Sequence, residues 1–560
     1  MSTRRGRVRA GVLAVLAGLS ALALAGCVAI PTSGPVQEGR SEVVEPAGIV
    51  ALAEGPRPGA KPVEIVESFL INAPLDFREQ FSVGRLYLAG EASESWKPLA
   101  GVVVAGQPLI TAVGSAKVQV DVPVVARVDA DGRYSEAAAG ARESLPFELV
   151  QDDDGQWRIS SAPDGLIVSE LDFESLYRAT SLYFLSPDSR FLVPEVRWLP
   201  AWNLATSAVR ALLAGPSPWL RDAVRTAVPD GVQLKPQAVS VDDAGVATVG
   251  LDGARTSAVL DADRPLLLAQ IEATLRQVPE VGKVQLKVGG VPLETDEGAA
   301  TLQRAGASGG DLELLQAGRL VQLSGNDMVP VQGVPPLAGL DPHSPARNDD
   351  GSVRVLLSGS GALVTMPTAE APAETLLTGP SLAAPSVDRF GWAWTGDAAG
   401  EVLAGKAGED PVRLAPDWAE GRAVTAVRVS RDGARVAVVS RGADGVAVEV
   451  VAVTRDAAGI PQRVGAPLRV GVPLVDASAV VWLDESTLGV LGTSAGTTGL
   501  HEVPVAGPTE AYPEVGDLVG VAGGKPPYVS TVDGELLRLV GQSWVRVPDV
   551  EGVADPSYPG

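Results

Sequence analysis

Apolar positions follow three successive rhythms along this chain. After Pro62, the side chains Val63, Val66, Phe69 and Leu70 share one face at helical spacing, and the proline suits a first helical turn. Val118, Val120 and Val122 then alternate as a strand does, with Val124 and Val125 beyond Pro123. Phe147, Leu149, Trp157 and Ile159 flank the polar turn Asp152, Asp153, Asp154, Gly155, which predicts a hairpin. Residues 61–170 are therefore expected to fold as one early helix on a curved antiparallel sheet. Over 175–295 the order becomes helix, strands, helix, strand. Leu204, Ala208, Val209, Leu212 and Leu213 mark the first helix, ended by Gly215 and Pro216. Leu267, Leu268, Ile271, Leu275 and Val278 mark the second, and strands are expected at 239–241, 246–251 and 284–288.

The third stretch, 311–556, repeats itself. A polar turn precedes an alternating strand at Asp350, Asp388, Asp432, Asp484 and Asp533, as in Ser430, Arg431, Asp432, Gly433 before Val436, Val438 and Val439. A recurrence of ~40 to 50 residues is that of four-stranded propeller blades. A β-propeller is expected, with five signals visible and a degenerate sixth blade allowed. Trp392, Trp394 and Trp482 keep company with the repeats and are expected to fill wedges between blades rather than to bind a sugar or peptide. The fold class is thus multidomain, α+β followed by all-β.

The first residues concern the compartment. Arg4, Arg5, Arg7 and Arg9 precede an apolar run from Ala10 to Ala25, shorter than the ~20 residues of a membrane-crossing helix, so 1–26 reads as a signal peptide. The Gly-Arg-Val after Arg4 and Arg5 lacks the character of a twin-arginine signal, which leaves ordinary export. The run ends in Leu24, Ala25, Gly26 and Cys27. These four resemble the bacterial lipobox, in which signal peptidase II recognises the three residues before a cysteine that carries diacylglycerol and is then N-acylated. Cys27 is the one cysteine of 560 residues. Two or more acyl chains would hold stably where one holds only reversibly. Residues 27–60, punctuated by prolines and glycines, read as a tether.

Composition narrows the chemistry further. With 45 basic residues against 68 acidic ones the formal charge is −23, and removal of the four leading arginines would make it more negative. Such a surface repels nucleic acid, so no nucleic-acid partner is expected. One cysteine excludes an intrachain disulfide and a thiolate metal cluster, and two histidines, His343 and His501, leave little for imidazole chemistry. The motifs that remain are weak. Gly492, Thr493, Ser494, Ala495, Gly496 and Gly306, Ala307, Ser308, Gly309, Gly310 both match G-x-S-x-G, but neither is followed by a predicted helix, and only His501 could serve Ser494. Gly400 to Lys406 approaches a phosphate loop, with Ala407 where a hydroxyl is needed. The triplet Asp152 to Asp154 lacks the alternate spacing of a calcium loop. No catalytic, cofactor or metal residue is nominated.

Three resemblances attach to these segments. The hairpin ending Trp157, Arg158, Ile159 before Pro163, Asp164, Gly165 is similar to the closing strands of NTF2-like domains. Tyr183 and Phe184, then Ala211 to Pro216, then Val228, Pro229, Asp230, Gly231 with Val246 and Val249, resemble the GerMN module. Cys27 with Ile30 to Val36, followed by these modules and a propeller, resembles the LpqB family of actinobacterial lipoproteins. That resemblance implies a lipid-anchored accessory on the extracytoplasmic face of the cell membrane. Its implied partner is the extracellular sensor region of the MtrB histidine kinase, with effects on MtrA/MtrB signalling, cell-wall homeostasis and division. The alternative is a cell-wall glycan or peptide binder, or a hydrolase, that uses the propeller channel. Oligomeric state is left open.

Overall fold

The computed structural model describes residues 53–79, 81–253, 263–293, 302–306 and 310–560. The expected signal peptide, Leu24 to Cys27, most of the expected tether and residues 307–309 of the second G-x-S-x-G lie outside the described residues.

The predicted first helix is Pro62–Asn72. Pro62 opens it, and the backbone N–H of Lys61 donates to Glu64 Oε2 at 2.8 Å, which supplies a first-turn cap. It buries Ile65, Val66 and Phe69. The sheet beneath runs in the order Trp157–Ser161, Arg142–Gln151, Lys117–Asp129, Gly101–Ala105, Leu166–Ser169. Along Lys117–Asp129 every second residue from Val118 to Val128 is buried, so one face meets the core throughout. Pro123 falls where this strand exchanges partners. Residues before it pair with Arg142–Gln151, residues after it with Gly101–Ala105, and the register slips there between Val104 and Ala105. A slip of this kind bends a sheet. The expected hairpin forms, pairing Leu149 with Ile159. The last residues read as tether belong to this body: Glu54 N–H donates to Asn72 Oδ1 at 2.8 Å, and Tyr87 Oη donates to the Glu54 carbonyl at 2.6 Å.

The middle domain begins with a hairpin, Tyr177–Leu185 against Phe191–Pro200, that the sequence pattern had not delimited. Helices Leu204–Leu213 and Arg264–Leu275 follow the predicted stripes. Strand Val246–Leu251 pairs in parallel with Lys283–Val288, a connection that requires a crossover, and the second helix lies in that connection. Gln270 is fully buried there, donating to the Tyr183 carbonyl at 2.9 Å and accepting from Ala227 N–H at 2.6 Å.

Six propeller sheets follow among the described residues. Five are built from consecutive strands, beginning at His343, Ser386, Ala423, Leu474 and Leu518. The other takes its innermost strand, Val553–Ser557, from the far end of the chain, paired with Leu312–Gln316. Each hydrophobic cluster of the ring joins two neighbouring blades. Val436 and Val438 pack toward Trp392 and Trp394 of the preceding blade, while Ala437 and Val439 pack toward Val480 and Trp482 of the next. Period-two alternation thus buries both faces of each sheet. The three tryptophans occupy wedges, as expected.

The recurrent aspartates serve these turns. Asp388 Oδ1 accepts from Phe390 and Trp392 N–H, both at 2.9 Å. Its Oδ2 accepts from Trp394 Nε1 at 2.8 Å and from Arg455 of the next blade at 2.7 Å. Asp432 pairs with the equally buried Arg435, whose Nη2 also donates to the Glu485 carbonyl of the next blade at 2.7 Å. Asp484 accepts from Lys525 of the last blade at 2.6 Å. One equivalence needs correcting. Asp533 lies between the second and third strands of its blade, Tyr528–Thr531 and Leu536–Val540, whereas the other four lie between the first and second. The matching turn there is Gly523 to Pro527, which carries Lys525 instead.

Replacing Asp388 with alanine strands Arg455 and Trp394 Nε1 in a dry wedge. The expected cost is about 3–5 kcal/mol, the range for breaking a buried pair from one side. Chemical denaturation followed by tryptophan fluorescence measures it, and a loss below about 1 kcal/mol would contradict the role given to Asp388.

Candidate functional site

The inner strands of all six blades converge on a central channel. Their ends, at Ala346, Arg428, Val429, Val481, Trp482, Val521, Ala522 and Ser557, surround one mouth of it. Residues 556–560 lie in that mouth, where Gly560 N–H donates to the Arg347 carbonyl at 3.1 Å. The space left is ≈ 40 Å³, against ~300–1,000 Å³ for ligand pockets in general. Arg428 donates to the Ala384 and Pro385 carbonyls at 2.9 and 3.0 Å. Burial pulls its guanidinium down to about 10, opposed by the charge of Asp555.

The catalytic candidates do not assemble. Ser494 ends the strand Thr487–Ser494 and pairs with Thr497 across a tight turn through Ala495 and Gly496, so strand, not helix, follows it. His501 is opposite Val490, roughly 13 Å along the ladder from Ser494 at ~3.3 Å per residue. The ring is buried, its Nδ1 lies 3.2 Å from the Gly499 carbonyl oxygen, and burial lowers its pKa. Gly400 to Lys406 contains the strand Val402–Gly405. Asp152 caps its own turn by accepting from Asp154 and Gln156 N–H. Among the described residues no cluster of three His, Cys, Asp or Glu side chains could hold a metal ion.

What the structure does assemble is a junction. The first domain meets the middle one through the backbone bond from Trp198 N–H to the Gly132 carbonyl at 2.8 Å. Arg197 joins it, donating to the Asp131 carbonyl at 2.9 Å while paired at 2.8 Å with Glu195; both side chains are buried. Arg133 Nε donates to Ser217 Oγ at 2.8 Å, and Ser217 N–H to Glu195 Oε2 at 3.0 Å. Phe173 and Trp198 pack with ring centroids 4.6 Å apart. The middle domain then docks on the propeller turns. Arg389 grips both oxygens of Asp188 at 2.7 and 2.9 Å and lies over the rings of Phe390 and Phe191. Burial works against the Asp188 charge, yet Arg389 holds its carboxyl below the usual range. Tyr183 Oη donates to Glu485 Oε1 at 2.6 Å, and Arg304 pairs with the same carboxylate. Ala434 and Ala452 of the propeller belong to the middle domain's own apolar core.

A cleft of ≈ 310 Å³ opens where the first two domains meet, lined by Gly101, Asp129, Asp131, Tyr177, Pro200 and Arg210 among others. Leu99, which also lines it, is exposed, as is Trp202 two residues beyond Pro200. Charges of both signs, with the exposed apolar Leu99 on the lining, suit a protein partner. No local sequence signal marked this cleft, since its walls come from segments far apart in the chain.

Glu136 of the first domain accepts from Thr509 N–H and Oγ1 of the propeller, both at 2.7 Å. Burial raises its pKa, and the Thr509 bonds offset only part of that rise. With the docked value above the free one, its favourable contribution is full below the ordinary carboxyl pKa and is lost as pH rises through the raised value. Glu136→Gln keeps one acceptor and one donor for Thr509 without the charge. It is expected to melt higher than the wild type at about pH 8, with the difference shrinking toward about pH 5. Melting curves across that range check this, and a gap independent of pH would contradict it.

Comparison with known proteins agrees with this architecture. Three family models match in succession: "Lipoprotein LpqB, N-terminal domain" over residues 55–174, "Sporulation and spore germination" over 181–294, and "Lipoprotein LpqB beta-propeller domain" over 318–559. Lipoprotein LpqB of Thermobifida fusca (strain YX) is 29% identical over 559 residues, covering 86% of this chain and 87% of that protein. Lipoprotein LpqB of Streptomyces coelicolor is 28% identical, covering 100% and 99% respectively. The first GerMN domain of the sporulation protein GerM from Bacillus subtilis, a solved structure, is 22% identical over 22% of this chain and 94% of its own, with a TM-score of 0.18. Two of the three models are specific to one lineage of lipoproteins, and whole-length relatives carry the same name: this chain belongs to the LpqB lipoprotein family.

Proposed function

We propose that this chain is a lipid-anchored extracytoplasmic binding protein, not an enzyme. It contacts the extracellular sensor region of the MtrB histidine kinase and modulates MtrA/MtrB signalling in cell-wall homeostasis and division. The observation that carries this reading is the exposed cleft between two domains that are bonded to each other and to the propeller. A cleft with fixed walls can favour one kinase state over another, and a regulator acts only through such a difference in affinity. The partner itself comes from the family resemblance. Filling of one channel mouth by residues 556–560 leaves the glycan-binding alternative little room at that end.

The anchor rests on Cys27, with Leu24, Ala25 and Gly26 recognised by signal peptidase II. Among the described residues no helix is long and apolar enough to cross a membrane. Cys27→Ser is expected to abolish incorporation of labelled palmitate and release the protein from the membrane fraction; continued labelling would overturn the assignment.

Capture of the MtrB extracellular region by the chain from residue 27 onward tests the partner. Wild type is expected to retain it, and Leu99→Asp with Arg210→Glu, both on the cleft lining, to weaken retention about tenfold or more, the loss of roughly 1.4 kcal/mol or more. Val532→Asp, at an exposed valine of the propeller, is expected to change nothing. Absence of capture by wild type would defeat the partner, and equal capture by the cleft variant would defeat the cleft.

A further inference from the structure

The walls of the interdomain cleft differ in charge. The first domain contributes the turn Asp129 to Gly132. Asp129 and Asp131 both line the cleft, and their carboxylates share one guanidinium, that of Arg133, at 3.4 and 2.9 Å. Two negative charges against one positive leave this wall negative. The middle domain contributes one face of the helix Leu204–Leu213, with Ser207, Arg210 and Ala211 on the lining at helical spacing. That helix carries no acidic residue, and Arg210 donates to the Gln237 carbonyl without a carboxylate partner among the described residues. This wall is positive. Arg197, also on the lining, is already matched by the buried Glu195.

The opposite charges are held apart. Arg197 Nη1 donates to the Asp131 carbonyl at 2.9 Å and Trp198 N–H to the Gly132 carbonyl at 2.8 Å, which pins the acidic turn to the strand that leads into the Arg210 helix. Low-dielectric walls of opposite sign concentrate the field in the space between them. At ≈ 310 Å³ that space is about twice the ~150 Å³ that takes up benzene, enough for two side chains rather than one. In an extended segment, residues i and i+2 point the same way, ~6.6 Å apart at two rises of ~3.3 Å. Ser207 and Ala211 are small, so such a segment can lie close to the helix.

We infer that the partner enters this cleft as an extended segment with a basic and an acidic side chain two residues apart, the basic one at Asp129 and Asp131 and the acidic one at Arg210. The inference rests on the cleft being the contact site proposed above and adds the chemistry of what it accepts. A segment with two like charges meets repulsion at one wall, so the charge pattern selects the partner and fixes its direction across the cleft.

The test uses the unlipidated chain from residue 27 onward, with nitrogen-15 in its arginines. The Arg210 Nε–H signal is the one missing from Arg210→Lys. Acetyl-Lys-Ala-Glu amide, or the same peptide with Lys and Glu exchanged, is expected to shift that signal saturably. Acetyl-Lys-Ala-Lys amide and acetyl-Glu-Ala-Glu amide are expected to need at least about five times the concentration. Asp131→Asn leaves Arg210 in place as the reporter and is expected to weaken the mixed-charge peptide about fivefold. Capture of the MtrB extracellular region forms the second arm. Asp131→Arg combined with Arg210→Asp keeps the net charge of the wild type but exchanges the walls, and is expected to lower capture about tenfold, with an unchanged melting temperature as the control for folding. Mixed-charge preference without any capture by wild type would remove the kinase and leave the charge pattern standing. Capture unaffected by the exchange would overturn this inference and leave the kinase contact standing. Equal binding of like-charged and mixed peptides, or no saturable shift with any of them, would also overturn it.

Discussion

Closure of the propeller ring is the constraint from which most of this structure follows. Each blade has two apolar faces, so no blade is stable at an open end, and the first one lacks an inner strand until Val553–Ser557 returns to pair with Leu312–Gln316. Radial closure also leaves each blade only a short outer edge, which limits recruitment of other chains. The returning strand has a second effect. It carries residues 556–560 into one mouth of the channel, so the contact that completes the ring also fills the space where a propeller could take a ligand.

Charge organises what the apolar wedges hold together. Asp388 and Arg455, Asp432 and Arg435, and Asp484 and Lys525 fix turns and neighbouring blades at defined spacings. The two buried pairs, Asp388 with Arg455 and Asp432 with Arg435, contribute little net stability against apolar replacements, but half a pair is costly, which restricts how the blades can be arranged. The same logic extends outward. Asp188 with Arg389, Glu485 with Tyr183 and Arg304, and Glu136 with Thr509 join the two smaller domains to the propeller. A recognition surface made from two domains needs such bonds, because each wall of the cleft is useful only while the other stays in place.

The sequence made legible whatever depended on local rhythm. Helices at Pro62 and Leu204, the hairpin around Asp152 to Gly155, and the propeller repeat all follow from alternation and turn residues. Four of the five turn signals mark the joint between the first and second strands of a blade; the closing blade has no such turn, since its inner strand comes from the far end of the chain, and the blade beginning at Leu518 carries Lys525 there instead of an aspartate. Asp533 shares the repeat's pattern without its position because Asp-Gly marks any tight turn, whichever strands it joins. The hairpin Tyr177–Leu185 with Phe191–Pro200 is buried on so many sides that little alternation survives to be read. The interdomain cleft was invisible, since Arg197 meets Asp131 only after folding.

Recognition at the cleft depends on the three domains moving as one body. Hydrogen exchange at two amides that cross domain boundaries tests this directly: Trp198, which donates to Gly132, and Thr509, which donates to Glu136. Protection of both comparable to that of the blade amides, as at Val438 and Val490, is the expected result. Exchange of either at the rate of an exposed loop, with the blades still protected, would show domains that separate freely and would contradict a cleft with fixed walls.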